Sequence, residues 1–476
     1  MLILLVEILF LIFLFYCVFI KPYKELDKLP GPSTLELIKN YSYYSSRKGI
    51  VSYLRTLNDK YGRIVKVWIK PFKPMIVTSD IDYVDKIYKS NDLHITPIFF
   101  EMIFLREGIM SNSNYDSWKK DKQTIQKAVT REYISGKISV YDKKYDEFLD
   151  IIRKNLGKPF DVESPLYHIV LDIMMHTMQD SNIDLTAKEV QDYTKFRVDF
   201  FNLLFEKMNS FAMMGPLHKF TKNYKLMIES KNNIVNFSRN LVERLKSVKT
   251  ELRDKHNLIY AMINSGMPEE RIIDNINTMI HGGHETSIIP LALGFYQLSQ
   301  RPELQQKILD EIHTIIGKDV KTPITLKDLN LMIYLRAFIK ECVRCYFTGP
   351  FLDRKTEEEI EIHGVKIPKG THVMFDLVNI ATSDQSFDDP HVFNPDRFLK
   401  ENMTSRTARG DITFGYGIRT CPGKHIAYAA MKILIVKVIR EFEICPLQQE
   451  HKIELVSEIF FRSVHGIPIR FQKRNL

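Results

Sequence analysis

Cysteine is scarce and poorly placed for cross-linking. Five residues lie at 17, 342, 345, 421 and 445, an odd number with one inside the leading apolar run. That excludes a disulfide-stapled secreted scaffold and points to a reduced, cytosol-facing chain. Glycine and proline, 20 each, are too few for a collagenous or low-complexity polymer. No short-period repeat is present, which excludes solenoids and propellers. Also missing are a nicotinamide or flavin fingerprint and the strand–helix alternation of a doubly wound nucleotide domain. What the chain has instead is apolar bulk, 45% of residues against 26% charged, enough for a large core and too much for intrinsic disorder. Its 67 basic and 58 acidic side chains give a net charge of +9. Such a balance permits an anionic membrane surface, nucleic acid or an acidic protein partner without choosing among them.

Residues 1–20 carry a single charge, Glu7. Twenty helical residues span about 30 Å, the thickness of a hydrocarbon core. A basic start, a small-residue cleavage site and arginine are all missing from this run, which argues against a cleaved signal or a matrix-targeting peptide. Lys21, Lys24 and Lys28 follow it, so the positive-inside rule puts the body in the cytosol. The pattern predicts a transmembrane anchor over 1–20, a Pro-rich linker over 21–35, and one domain over 36–476. Within that domain, 64–69 and 75–78 read as strands, 115–345 as mainly helical and 360–374 as strand-like. Residues 424–443 read as an amphipathic helix and 452–471 as a hairpin. The fold class is mainly α with small β-sheets, behind an N-terminal transmembrane helix.

The most informative stretch is Phe414-Gly-Tyr-Gly-Ile-Arg-Thr-Cys-Pro-Gly423. Gly415, Gly417 and Gly423 strip side-chain bulk from around Cys421, and a helix begins just beyond Pro422. The positive end of that helix and Arg419 both favour a thiolate. Soft thiolate ligation of heme iron is one chemistry that uses such a site, and a packed structural cysteine is its rival. A helix with its first position at Pro268 runs to about Gln300 and carries Gly282-Gly283-His284-Glu285-Thr286. Two mid-helix glycines cost about 1 kcal/mol each against alanine, which predicts a close approach or a local opening. Pro290 has no amide for the Thr286 carbonyl, so that carbonyl is expected to meet water or a side chain. Glu341 and Arg344 share a helix face, where Arg397 from a distant loop can complete a charge-assisted triad. His281-x-x-His284-Glu285 has no fourth zinc ligand nearby, which argues against a zinc site, and Cys342-x-x-Cys345 lacks a thioredoxin-like context and reads as packing.

Phe414, Gly417, Arg419, Cys421 and Gly423 fill all five fixed positions of Phe-x-x-Gly-x-Arg-x-Cys-x-Gly, the signature of the cytochrome P450 heme-thiolate monooxygenases. The chain resembles that family over residues 30–472, and more loosely its fatty-acid ω-hydroxylase clan. The resemblance implies the cytochrome P450 fold and heme b, with Cys421 as the axial thiolate on iron. It implies that Gly282 and Gly283 shape a dioxygen groove, that Thr286 bonds the distal oxygen and that Glu285 relays protons. Glu341, Arg344 and Arg397 become the buried triad behind the cysteine loop. Arg354, Arg419 and the Trp118 indole are implied partners of the heme carboxylates. So is Lys122, where arginine is usual; an ammonium does this without a bidentate fork.

Residues 460–467 are similar to the family's last substrate-contacting hairpin. Phe99, Phe100, Met102, Phe104 and Leu105 form one apolar lining candidate for a lipophilic substrate. Phe200, Phe201, Leu203, Leu204, Phe211, Met213 and Met214 form another. Electrons are expected from NADPH–cytochrome P450 reductase, with cytochrome b5 as an accessory donor, docking at Lys119, Lys120, Lys127 and Lys424. The implied protein is a single-pass enzyme of the endoplasmic reticulum membrane with no nucleic-acid partner. Two alternatives stay open: a reductase-independent heme-thiolate isomerase or dehydratase, and a non-enzymatic membrane heme protein that binds ligands.

Overall fold

The computed structural model describes residues 21–39, 49–70, 73–89, 107–178, 185–209, 219–254, 256–349, 351–448, 451–457 and 461–474. Strand alternation explains where the main sheet sits. Ile64–Lys70 pairs antiparallel with Lys73–Thr78; His372–Asp376 joins the latter in parallel, and Phe351–Lys355 closes the sheet antiparallel to it. Side chains on a strand alternate between faces. Val65, Val67, Met75 and Val77 therefore share one face and pack on Tyr53, Leu54 and Leu57 of the helix Gly49–Tyr61. Ile76, Val373 and Phe375 take the opposite face with Tyr83, Val84 and Ile87. A second sheet pairs Pro468–Lys473 with both Phe160–Asp161 and Phe442–Cys445. A short hairpin, Leu455–Ser457 with Phe461–Ser463, precedes it.

The stretch read as a linker packs on the body. Leu26 is fully buried and Leu29 nearly so, in the same cluster as Ile367 and Phe375. The Lys66 amide donates to the Pro30 carbonyl at 2.8 Å, and Lys66 Nζ reaches Asp27 at 2.6 Å. A Cβ on Gly31 would overlap the Lys66 carbonyl oxygen. Gly31→Ala is therefore expected to lower stability by about 1–3 kcal/mol through overpacking. A thermal melt checks this, and an unchanged midpoint would mean the segment is not held there. The expected anchor over 1–20 lies outside the described residues. Among the described residues, no helix is long and apolar enough to cross a membrane.

The helical run begins with Tyr115–Ala128 and ends with Ile333–Cys345, as the spacing predicts. Asn114, Thr130 and Thr221 open three of its helices by accepting from the amides of Ser117, Tyr133 and Tyr224. The central helix, Glu269–Gln300, has Pro268 as its N-cap and continues through Pro290. Helices Glu163–Met178, Lys222–Ser247 and Ile333–Cys345 pack around it, so most of its side chains are buried on all sides. The carbonyl that Pro290 cannot serve, that of Thr286, accepts from the Thr348 hydroxyl at 3.3 Å. Lys424–Glu441 departs from the amphipathic pattern expected of it. Ile433, Leu434, Ile435 and Val436 are consecutive and buried, because helices Arg131–Lys154, Pro302–Ile315 and Ile333–Cys345 enclose it.

Candidate active site

The cysteine loop is pinned at both ends. The Cys421 amide donates to the Phe414 carbonyl at 2.8 Å, and Phe414 packs on Tyr428 with ring centroids 5.2 Å apart. Gly415 and Gly417 adopt positive φ of 75° and 63°, a conformation that side chains disfavour. Gly423 caps the helix that starts at Lys424. The Cys421 side chain stays accessible. Crowding by surrounding protein nonetheless pushes its pKa up, against the pull of the Gly423 amide, Lys122 and Lys424. The amides at the start of the helix do favour the thiolate, as the sequence suggests, but burial opposes them. A bound metal cation is what would deprotonate this sulfur.

Beside the loop, the structure gathers Trp118, Lys122, Arg354 and Arg419. Arg419 lies 3.6 Å over the Trp118 ring, and its terminal nitrogens donate to the Asn112 carbonyl at 3.3 Å. The Trp118 indole N–H donates to the Ile109 carbonyl at 3.1 Å, and its ring is a platform for Arg419. Lys122 donates to the carbonyls of Ile418 and Thr420, tying its helix to the cysteine loop. Arg354 is buried and donates to the Asp353 carbonyl at 2.8 Å. Burial and the neighbouring Arg354 push Arg419 down to about 9. Burial and then Arg419 push Lys122 down to about 8. Neither Lys122 nor Arg419 has a carboxylate within ion-pair distance among the described residues, and Arg419 Nε has no hydrogen-bond partner. Packing like charges together without counterions is costly, and an anionic guest relieves it.

The two mid-helix glycines differ. A Cβ on Gly282 meets nothing within 4 Å, so this face of the central helix borders open space. A Cβ on Gly283 would strike the Met174 side chain instead, which gives Gly283 a packing role against the helix Glu163–Met178. Thr286 is exposed, with its hydroxyl donating to the Gly282 carbonyl at 2.6 Å. Glu285 faces elsewhere, into a cavity of about 460 Å³. It pairs with Arg197 at 2.7 Å and with Arg462 at 3.1 Å, and His284 Nδ1 lies 3.5 Å away. Burial works to raise its pKa but is outweighed by Arg197, His284 and Arg462, which hold the carboxyl well below its usual range. Burial and Arg197 push His281 down to about 3 and His284 down to about 4, so both imidazoles are neutral. His281 stacks on Phe201 at 4.3 Å and His284 bonds the Tyr167 carbonyl at 2.7 Å.

Behind the loop, the triad is assembled. Arg344 makes two bonds of 2.7 Å to the two Glu341 oxygens, and Arg397 Nε reaches Glu341 at 3.2 Å. The guanidinium groups also donate to the carbonyls of Ala381, Pro390, Asp388 and Val392, and so hold the segment that leads into the cysteine loop. Cys342 and Cys345 are reduced, and burial pushes both thiols up, Cys345 to about 12. Of the apolar linings, Phe200 and Leu204 are buried core, while Phe201 borders the Glu285 cavity. Residues 99–105, Phe211, Met213 and Met214 lie outside the described residues. Arg197, Tyr167 and Glu163 carry no recognisable motif, and Arg462 was legible only as part of the 460–467 stretch. One signal marks Arg197: it lies in the stripe Tyr193, Arg197, Phe200, Leu204, whose helical spacing buries all four. A cation on such a stripe needs a partner.

The residues around Cys421 suit heme: a soft ligand, cations for its carboxylates, and room along the Gly282 face. Together with a mainly helical architecture this chemistry defines the heme-thiolate class. The chain belongs to the cytochrome P450 family, whose model matches residues 29–464. It is 24% identical to cytochrome P450 4d2 of Drosophila melanogaster over 94% of each chain. It is 26% identical to cytochrome P450 3A41 of Mus musculus, covering 88% of this chain and 86% of the relative. The protein is thus a monooxygenase of that family, and its cofactor is heme b, with iron held by a cysteine thiolate.

Proposed function

We propose that this chain is a membrane-anchored monooxygenase of the endoplasmic reticulum that hydroxylates a lipophilic substrate. Its electrons come from NADPH–cytochrome P450 reductase, with cytochrome b5 as an accessory donor. Exposed Lys119, Lys120 and Lys127 offer a basic docking face for an acidic partner. Cys421, held by the turn of Phe414, Gly417 and Gly423, would bind the heme iron through its sulfur. Lys122, Arg354 and Arg419 bind the heme carboxylates, with Trp118 steadying Arg419. Bound heme supplies the activation of dioxygen and the oxidation of a substrate carbon. Gly282 leaves room beside the helix, and Glu285 hands a proton to Thr286 Oγ1.

The observation that carries this reading is the split orientation of neighbours on one helix. Thr286 borders the open side and Glu285 the polar cavity, so the pair bridges two spaces. An isomerase or dehydratase needs no such proton entry. Thr286→Ala is expected to retain heme and fold but to divert several-fold more electrons to peroxide. Hydrogen peroxide and product measured against NADPH consumed decide this. Unchanged coupling, or turnover independent of NADPH and reductase, would overturn the monooxygenase role of the pair.

A further inference from the structure

The cavity beside Glu285 lies between the helices Glu163–Met178, Ala187–Asn209 and Glu269–Gln300 and the strands Phe160–Asp161 and Phe461–Ser463. Its walls carry three carboxyls, Asp161, Glu163 and Glu285, and the guanidinium of Arg462. Tyr167, His168 and His281 complete the polar wall. About 460 Å³ of space with polar walls admits water.

The three carboxyls are held very differently. Asp161 is engaged by backbone, accepting from the amides of Ile467 at 2.8 Å and Glu163 at 3.2 Å. Glu285 is clamped by two guanidinium groups, which suits an anion and hinders protonation. A relay group works best when its pKa lies near the operating pH. Glu163 accepts from the Ser463 amide at 3.3 Å. Burial pushes it up to about 7, against the pull of that amide, with Asp161 adding to the rise. Glu163 therefore exchanges its proton around neutral pH, whereas Glu285 is held as the anion.

The two cations on Glu285 also differ. Arg197 has a side chain only 2% exposed and is fixed further by the Tyr167 hydroxyl and by His281 Nδ1 at 3.3 Å. Arg462 is 32% exposed, lies over the Tyr167 ring at 4.5 Å and sits next to Ser463, whose amide holds Glu163. Arg462 is thus the more exposed of the two cations, and its charge acts on both carboxyls.

We propose that Glu163 is the cavity-side proton station that feeds Glu285, and that Arg462 is the positioning residue that gates the transfer. This rests on the relay role of Glu285 given above. When Arg462 shifts from Glu285 toward Glu163, the Glu163 O–H bond breaks and its proton passes through cavity water to a Glu285 oxygen. Glu163 is then the anion paired with Arg462, and Glu285 is neutral. Glu285 next gives its proton to Thr286 Oγ1 as that hydroxyl passes its own hydrogen onward. Arg462 returns, and solvent reprotonates Glu163. Charge is conserved at each step. The groups facing the two carboxyls are Arg197, Tyr167, His168, His281 and His284.

Infrared titration of the full-length, heme-loaded protein tests this without turnover. The wild type is expected to show a buried carboxylic acid that ionises near neutrality and is lost in Glu163→Gln. Arg462→Ala is expected to reveal a second protonated carboxyl, absent from the Arg462→Ala, Glu285→Gln double variant, and Arg462→Lys to suppress it again. In coupled assays, Glu163→Gln should raise the peroxide share several-fold and flatten its dependence on pH through the neutral range. No acid band assigned to Glu163 would overturn the station, and no second carboxyl in Arg462→Ala would overturn the gate. If Glu285→Gln itself leaves peroxide unchanged while the bands behave as expected, the relay reading of Glu285 fails rather than the pairing of the two carboxyls.

Discussion

A Cys421→Ser protein, reduced under carbon monoxide, is expected to lose entirely the far-red-shifted Soret band of thiolate heme. The substitution keeps the loop. The amide bond to the Phe414 carbonyl and the positive-φ glycines do not depend on the sulfur. What changes is the donor, from a soft polarisable sulfur to a hard oxygen that binds iron weakly. Electron donation from the thiolate favours O–O cleavage, so hydroxylation should vanish with the band. Heme binding itself should weaken less, because Lys122, Arg354 and Arg419 are untouched. A serine variant that kept the band would show that another side chain ligates the iron. Free Cys342, Cys345 and Cys445 supply the obvious controls, and their serine variants should keep it.

Glu341→Ala is the substitution expected to remove the folded protein altogether. Glu341 has no exposed surface, and it accepts from Arg344, Arg397 and the Asn394 amide. Deleting one partner of a buried ion pair costs about 3–5 kcal/mol, since the remaining charge is left uncompensated. Here two guanidinium groups lose their counterion at once. Domains are stable by only about 5–15 kcal/mol. Holoprotein yield should fall to background, and any recovered protein should melt at much lower temperature. Glu341→Gln keeps the acceptor oxygen and the shape, so it should lie between the two. A Glu341→Ala protein with normal yield and midpoint would mean the triad does not hold the cysteine loop.

The sequence exposed those parts of the site that depend on local spacing. The triad was legible because Glu341 and Arg344 fall on one helix face, and the cysteine loop because its glycines and cysteine are contiguous. The strands at 64–69 and 75–78 were legible by alternation. What stayed hidden depends on contacts between distant elements. Nothing near Gly283 announces that Met174 presses against it. Nothing near Trp118 shows that its N–H is taken by Ile109. The helix Lys424–Glu441 looked one-sided, whereas its consecutive Ile433, Leu434, Ile435 and Val436 are enclosed by three other helices. Residues 21–35 looked like a tether because proline and glycine break helices, yet Leu26 and Leu29 dock them. Glu285 was identified by its place beside Thr286, but its two arginine partners come from segments 88 and 177 residues away.

Pro290 and Thr348 lie on separate elements and make one compensated change. A proline inside the central helix removes the amide that would serve the Thr286 carbonyl, and Thr348 supplies a hydroxyl in its place. In evolutionary terms the two positions should not drift independently. A lineage that loses Thr348 first strands the Thr286 carbonyl inside the central helix. A lineage that first restores an amide at 290 releases Thr348 from its constraint at no cost. The order of loss is therefore directional: close relatives with alanine at 290 should tolerate many residues at 348, and those with proline at 290 should keep a hydroxyl there.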